Sequence, residues 1–204
     1  MLSRNAFLVD LVHEKGEPVL NLDSIKGGDV WKGVDTLIFN TWHWWNYKGA
    51  QQQWKYLKTG NRLFTDMNRQ EAFEMALKTW AQWVESNVDP SNTQVFFQGI
   101  SPSHYSGSEW GEPHENCAGQ TYPLNTSSHL TGFSKPRAAV ENLLRNMTKP
   151  VYLLDITMLS QLRKDGHPSF YTDGTRGGMD CTHWCLAGVP DTWNQLLYAA
   201  LILN

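Results

Sequence analysis

The sequence predicts an α/β fold with a mainly parallel sheet, in the three-layer α/β/α arrangement, and three observations carry that reading. Predicted strands and helices alternate along the 204 residues, the order that layered α/β units show. Asp35-Thr-Leu-Ile-Phe-Asn40 runs almost continuously apolar, as a strand covered on both faces must. Arg69 to Val88 sets Ala72, Phe73, Ala76, Leu77, Trp80, Trp83 and Val84 on one helical face. With 41% hydrophobic and 18% charged residues, the chain reads as globular and able to bury a sizeable core in one domain.

The elements follow in order. Phe7–Val12 and Pro18–Ile25 read as short strands around a glycine-containing turn, and Lys26-Gly-Gly-Asp29 as a second turn. The apolar strand 35–40 opens into Asn40-Thr-Trp-His-Trp-Trp45, a polar and aromatic cluster at its C-terminal end. Ligands of open α/β sheets bind at that end. Residues 46–67, rich in Gln, Lys and Gly, read as loop, and Asn87-Val-Asp-Pro90 stops the long helix. Gln94–Gln98 is the next strand, leading into Gly99-Ile-Ser-Pro-Ser-His104. Ser101 to Phe133 carries few regular signals, but Tyr105, Trp110, Cys117 and Tyr122 argue for an ordered, functional loop. Pro136–Met147 reads as a helix with proline in its first turn. Val151–Ile156 is a strand, 158–162 a short helix or turn, and Pro190–Leu203 an apolar helix with Asp191 or Thr192 near its cap.

Composition excludes some functions. A net charge of −3 with no dense Lys/Arg patch gives no reason to expect a nucleic-acid partner. No stretch approaches the ~20 apolar residues of a membrane span, and the first residues lack the apolar run of a secretory signal. The ten tryptophans fill cores for the most part, while exposed rings can stack on the apolar faces of sugars. Two acceptor sequons, Asn125-Thr-Ser127 and Asn146-Met-Thr148, matter only in a secretory compartment. Three cysteines, Cys117, Cys181 and Cys185, are disulfide candidates whose odd number leaves one unpaired within the chain; the alternative is three reduced, buried thiols. Cys-x3-Cys plus one distant cysteine matches structural zinc spacing poorly, so no metal is expected.

The chemistry concentrates in Asp173-Gly-Thr-Arg-Gly-Gly-Met-Asp180-Cys-Thr-His183-Trp-Cys185. A carboxylate three residues before an imidazole suits an acid–base pair. The carboxylate fixes the tautomer and steadies the imidazolium while the histidine takes a proton from a nucleophile. The alternative is a surface aspartate beside a core histidine. Gly177-Gly178 would let the backbone pass close to a ligand. Asn40 either donates a hydrogen bond to an oxyanion or caps its strand. His43 reads as a satisfied histidine among tryptophans rather than a catalyst, and His104 could touch substrate or only order its own loop. A nucleophile is harder to find, because neither Gly-x-Ser-x-Gly nor Gly-Asp-Ser occurs, and Ser3 and Ser24 have unsuitable neighbours.

Several segments together resemble one family, the plant trichome birefringence-like proteins, polysaccharide O-acetyltransferases of the PC-esterase group. They are Asp35-Thr-Leu-Ile-Phe-Asn-Thr-Trp-His-Trp-Trp45, Val95-Phe-Phe-Gln-Gly-Ile-Ser-Pro-Ser-His104, Leu154-Asp-Ile-Thr157, Lys164-Asp-Gly-His-Pro168 and Asp180-Cys-Thr-His-Trp-Cys-Leu-Ala-Gly-Val-Pro-Asp-Thr-Trp-Asn194. The resemblance implies an SGNH-like fold and a Ser-Asp-His triad acting through an acyl-serine. It makes Asp180 and His183 the catalytic acid and base, and Asn40 the oxyanion-hole counterpart. Trp44, Trp45 and Trp110, with His43 and His104, become candidates for substrate contact. It implies a wall-glycan acceptor such as xylan, an acetyl donor such as acetyl-CoA as co-substrate with no bound cofactor, and Golgi localisation behind a membrane anchor. The family's Gly-Asp-Ser block is not in this chain, which is expected to be a single, truncated C-terminal domain. The first strand and helix of the sheet would then be missing, apolar surface exposed, and Cys185 or Cys117 without its partner. Transfer by this chain alone would be weak or absent. An acetyl-polysaccharide esterase and a non-catalytic glycan-binding protein are the alternatives.

Overall fold

The computed structural model describes residues 5–125, 134–171 and 178–203. The chain groups into two compact units, Met1–Gln98 with Lys135–Leu153, and Gly99–Ser134 with Leu154–Asn204. The fold is α/β and contains the expected parallel pairing.

The first unit is built around one amphipathic helix. In α1 (Arg69–Asn87) the Asn68 side chain accepts from the main-chain N–H groups of Gln70 and Glu71, satisfying two donors the first turn would leave open. The helix buries Ala72, Phe73, Ala76, Leu77, Trp80, Ala81, Trp83 and Val84. It ends where Val88 turns extended, just before Pro90. Trp80 meets Phe39 and Phe97 edge-on, each at 5.2 Å between ring centres, and Trp83 meets Trp31 at 5.3 Å. Edge-to-face contact suits the quadrupoles of these rings, and full burial of such side chains dominates core energetics.

Phe39 and Phe97 belong to a sheet of order β3-β6-β7, where β3 is Thr36–Phe39, β6 is Gln94–Gln98 and β7 is Tyr152–Leu154. The β3 and β6 strands run parallel, Thr36 opposite Gln94 through Phe39 opposite Phe97. Sequence suggested that 35–40 is covered on both faces. Instead Leu37 and Phe39 are buried while Ile38 is 46% exposed, so β3 alternates as a half-covered strand does. It closes one end of its sheet's order among the described residues.

A second sheet joins β1 (Asp10–Glu14), β2 (Glu17–Asn21), β4 (Tyr56–Thr59) and β5 (Arg62–Phe64) in the order β1-β2-β4-β5. Its β1/β2 and β4/β5 pairs are antiparallel hairpins and its β2/β4 pair is parallel. Sequence read 46–67 as loop, yet β4 and β5 form around a turn with Gly60 at φ +53°. Only Leu57 of these seven residues is buried, so an apolar alternation was too faint to read. The first strand also starts later than expected, since Phe7–Val9 are buried without pairing. Helix α2 (Ser134–Arg145) belongs to this unit from Lys135 onward.

The second unit contains the short helix α3 (Thr157–Gln161), α4 (Val189–Leu203) and a 3-10 turn at Gly107–Trp110. Helix α4 buries Val189 and Ala200, while Tyr198, Ile202 and Leu203 are exposed. Among the described residues no helix is long and apolar enough to cross a membrane. Replacing Asn68 by Ala removes the cap of α1 and should lower stability by about 1 kcal/mol, read as an earlier urea midpoint with unchanged slope.

Candidate active site

The site grows from one turn. Asp180 Oδ1 accepts from the main-chain N–H of Thr182 at 3.0 Å and of His183 at 2.9 Å. An aspartate folds back on the two following residues in this way at turns. That fold aims the second oxygen, and Oδ2 lies 2.8 Å from His183 Nδ1. The spacing of three residues is what lets one carboxylate hold both the turn and the ring.

Burial pushes the Asp180 carboxyl up, but the hydrogen bonds from the His183 and Thr182 main chain, then from the His183 ring, outweigh it and hold the group below its ordinary 3.8. Asp180 is thus ionised at neutral pH and can only accept. His183 Nδ1 must carry the proton between them, which leaves Nε2 as the basic atom. The Asp180 side chain is 13% exposed and that of His183 55%, so the carboxylate is sheltered while the imidazole faces outward.

Main-chain bonds fix the turn in place. Ser169 and Asp180 exchange N–H···O bonds of 2.9 and 3.0 Å, and Cys185 N–H donates to Gly166 C=O at 2.9 Å. His104 N–H donates to Cys181 C=O, and Cys117 N–H to His104 C=O. A disulfide joins Cys117 to Cys181, next to the aspartate, and Cys185 is a free, exposed thiol. Cys117 therefore has its partner within the chain, contrary to one of the two expectations. Trp184 stacks on the His167 ring at 4.2 Å and 33°, and Trp193 meets Trp184 edge-on while donating to Ser160 Oγ at 2.9 Å. Gly166 permits this packing, since a Cβ there would lie 2.9 Å from Val189 and 3.1 Å from Trp184.

The other expected contact residues divide by burial. Trp45 is fully buried against Phe7, Trp54 and Phe73 and donates to Thr41 Oγ1. Trp110 is also buried, with its indole N–H on Glu112, and His104 is 1% exposed, its ring nitrogens 2.6 Å from His167 Nε2 and 3.1 Å from Gln161 O. None of these three can touch a sugar. The hydrophobic effect claims the two indoles, whose large apolar surface gains most from leaving water, while His104 is held by polar contacts. Trp44 is exposed, edge-on to Tyr47, and His43 is half-buried at the start of the 3-10 turn His43–Asn46. Asn40 is exposed directly after β3. It belongs to the first unit, and Asp180 and His183 to the second. Trp42, between them in sequence, adopts φ +148°, a region that strains any residue bulkier than glycine. Gly177 and Ser3 lie outside the described residues, and a Cβ at Gly178 would meet nothing within 4 Å.

Sequence reasoning passed over Phe170 and Tyr171, which are 70% and 94% exposed just after Ser169, the partner of Asp180. Tyr105 is half exposed and its hydroxyl donates to Met179 C=O. It also passed over His167, which stands 16 residues from His183 yet reaches its carbonyl at 2.6 Å. No periodicity links the two positions, so spacing carried no signal for it.

Residues 1–200 match the sequence model of PC-Esterase, described as the GDSL/SGNH-like acyl-esterase family found in Pmr5 and Cas1p. The chain is 56% identical over 203 residues to protein trichome birefringence-like 38 of Arabidopsis thaliana, covering 99% of this chain and 53% of that protein. Against protein trichome birefringence-like 40 of the same plant it is 52% identical over 200 residues, or 98% and 55%. Against Arabidopsis protein trichome birefringence it is 39% identical over 207 residues, or 96% and 34%. The chain thus spans about half the length of the first two.

Two consequences are measurable. The Cys117–Cys181 bridge spans 64 residues of sequence, so in the chain-entropy account its reduction should lower stability by about 4 kcal/mol, read by urea unfolding with and without dithiothreitol. Burial lowers His104 from the ordinary 6.5 to about 4, helped by the neighbouring His167. A histidine depressed in the folded state binds fewer protons there than when unfolded, so stability falls as pH drops from 6.5 towards 4. The urea midpoint should fall across that window, and fall less steeply in His104→Gln.

Proposed function

The chain belongs to the PC-esterase family of GDSL/SGNH-like acyl-esterases, and from that membership we propose that Asp180 and His183 are the acid and base of a Ser-His-Asp triad that moves acetyl groups onto a cell-wall polysaccharide. The observation that carries this reading is the 2.8 Å contact from Asp180 Oδ2 to His183 Nδ1, with the ring turned outward and its Nε2 left as the basic atom. The serine is to come from a Gly-Asp-Ser block of the kind the family resemblance implies, which these 204 residues do not contain.

In the proposed reaction His183 Nε2 takes the proton of the serine hydroxyl as its oxygen attacks the acetyl carbonyl of the donor, such as acetyl-CoA. Asp180 steadies the imidazolium that forms. The donor's leaving group departs with that proton, and an acetyl-serine remains. A sugar hydroxyl then attacks the acetyl-serine and gives its proton to Nε2. The serine oxygen leaves, takes the proton back, and the acetyl ester is on the sugar. Asn40 is the proposed donor to the oxyanion. Xylan is the proposed acceptor and the Golgi the proposed compartment. Within the unit that carries Asp180 and His183, the exposed Tyr105, Phe170 and Tyr171 are the proposed sugar contacts. The 55% exposure of His183 favours one second reading: an open imidazole admits water, and water in place of the sugar makes the same site an esterase.

Acetyl transfer from acetyl-CoA to xylan oligomers, followed by mass spectrometry, tests this. The chain alone should give no product above background. Joined to the part of trichome birefringence-like 38 that it does not span, it should turn over, and His183→Ala or Asp180→Asn should lower kcat roughly 1,000- to 10,000-fold. Turnover by the chain alone that survives His183→Ala removes the mechanism. Acetate release that is equally fast without acceptor selects the esterase.

A further inference from the structure

Beneath the Asp180–His183 turn lie two imidazoles that the acid–base chemistry does not use. His104 Nδ1 is 2.6 Å from His167 Nε2. Each outer nitrogen faces a main-chain carbonyl, His104 Nε2 at 3.1 Å from Gln161 O and His167 Nδ1 at 2.6 Å from His183 O. A carbonyl oxygen only accepts, and two neutral imidazoles carry two N–H groups between them. The row carbonyl–imidazole–imidazole–carbonyl therefore has three contacts and two protons. Distance decides which contact goes without. Two lone pairs facing each other at 2.6 Å repel most strongly, so the two short contacts take the two protons, and the 3.1 Å contact, the longest of the three, is the one least costly to leave without.

We propose that His104 and His167 are a positioning pair for His183: each ring carries its proton on Nδ1, His104 donates to His167, and His167 donates to the His183 carbonyl. One vacancy remains in the row, at His104 Nε2, where a single further proton completes the bond to Gln161. His183 is thus held from both sides, its ring by Asp180 and its main chain by His167. The value of this for transfer rests on reading His183 as the base.

Independent features agree. His104 cannot swing away, because its N–H is bonded to Cys181 and its C=O to Cys117, the two ends of the disulfide. Burial keeps both imidazoles below their ordinary values, so the extra proton is absent at neutral pH. The charged groups around the pair pull in both directions. Asp165 favours the proton on either ring and Asp180 favours it on His167, while Lys164 opposes it on His104 and His183 opposes it on His167. Lys164 is paired with Glu112, and Asp165 with Arg163. The Trp184 face on His167 and the Trp110 ring 5.4 Å from His104 would accept the added charge. Completing the row gains one hydrogen bond, and burial outweighs that gain until the solution is acid.

The test uses this chain labelled with 15N-histidine and long-range 1H–15N spectra, with no acetyl chemistry involved, so its failure and that of the triad are separable. At about pH 7.5 both His104 and His167 should show Nδ1–H tautomers, and on acidification the next proton should arrive at His104 Nε2, well below pH 6.5. An Nε2–H tautomer for either ring at pH 7.5, or ordinary titration of His104, overturns the proposal. In His167→Asn, whose amide nitrogen can occupy the place of Nδ1, the protected Nδ1–H signal of His183 should remain. In His167→Phe it should be lost to solvent exchange with the circular dichroism unchanged. Retention in the folded Phe variant, or loss in the folded Asn variant, refutes the positioning role. Should the Phe variant not fold, the wild-type tautomers and the Asn variant decide.

Discussion

A single carboxylate does two jobs at Asp180. One oxygen closes the turn by accepting from two main-chain N–H groups, and the other takes the His183 ring proton. The two jobs reinforce each other. The turn sets the angle at which Oδ2 meets Nδ1, and the main-chain donors keep the carboxyl ionised so that it can go on accepting. A surface aspartate without those donors would have to hold a half-exposed imidazole by a contact open to solvent, and such contacts contribute little.

The rest of the second unit serves to keep that turn from moving. Cys181 follows Asp180 and is tied to Cys117, while Ser169, Gly166 and His104 each bond the turn's main chain. Trp184 and Trp193 close over one side, and His167, backed by the His104 ring, reaches the His183 carbonyl. The proposed acid–base role requires an imidazole open to substrate, and a loop carrying an open side chain is a mobile one unless its backbone is anchored. Here the anchoring falls on main-chain and buried groups, which leaves the imidazole itself exposed.

Much of this was legible in the residues, and the parts that were not have physical causes. The Asp180-x-x-His183 pair is local, so spacing alone could find it. The α1 face was readable because seven apolar residues recur at the helical period. The β4/β5 hairpin escaped because only Leu57 is buried, which leaves no alternation to detect. Trp45 and Trp110 were candidates for substrate contact and are buried instead, and of the two readings of His104 its burial leaves the ordering of its own loop, tertiary outcomes that neighbouring residues do not reveal. His167 was invisible for the opposite reason. Its role depends on a contact across 16 residues, and a histidine before a proline gives no hint of one.

The proposed acid–base chemistry turns on Asp180 deciding which nitrogen of His183 carries the proton. Proton and 15N spectra of the histidine-labelled chain, compared with its Asp180→Ala variant at neutral pH, test that most directly. His183 should carry its proton on Nδ1, protected from exchange, and the substitution should release it to a mixture dominated by Nε2–H. A His183 that carries its proton on Nε2 in the unaltered chain, or that is indifferent to the loss of Asp180, would contradict it.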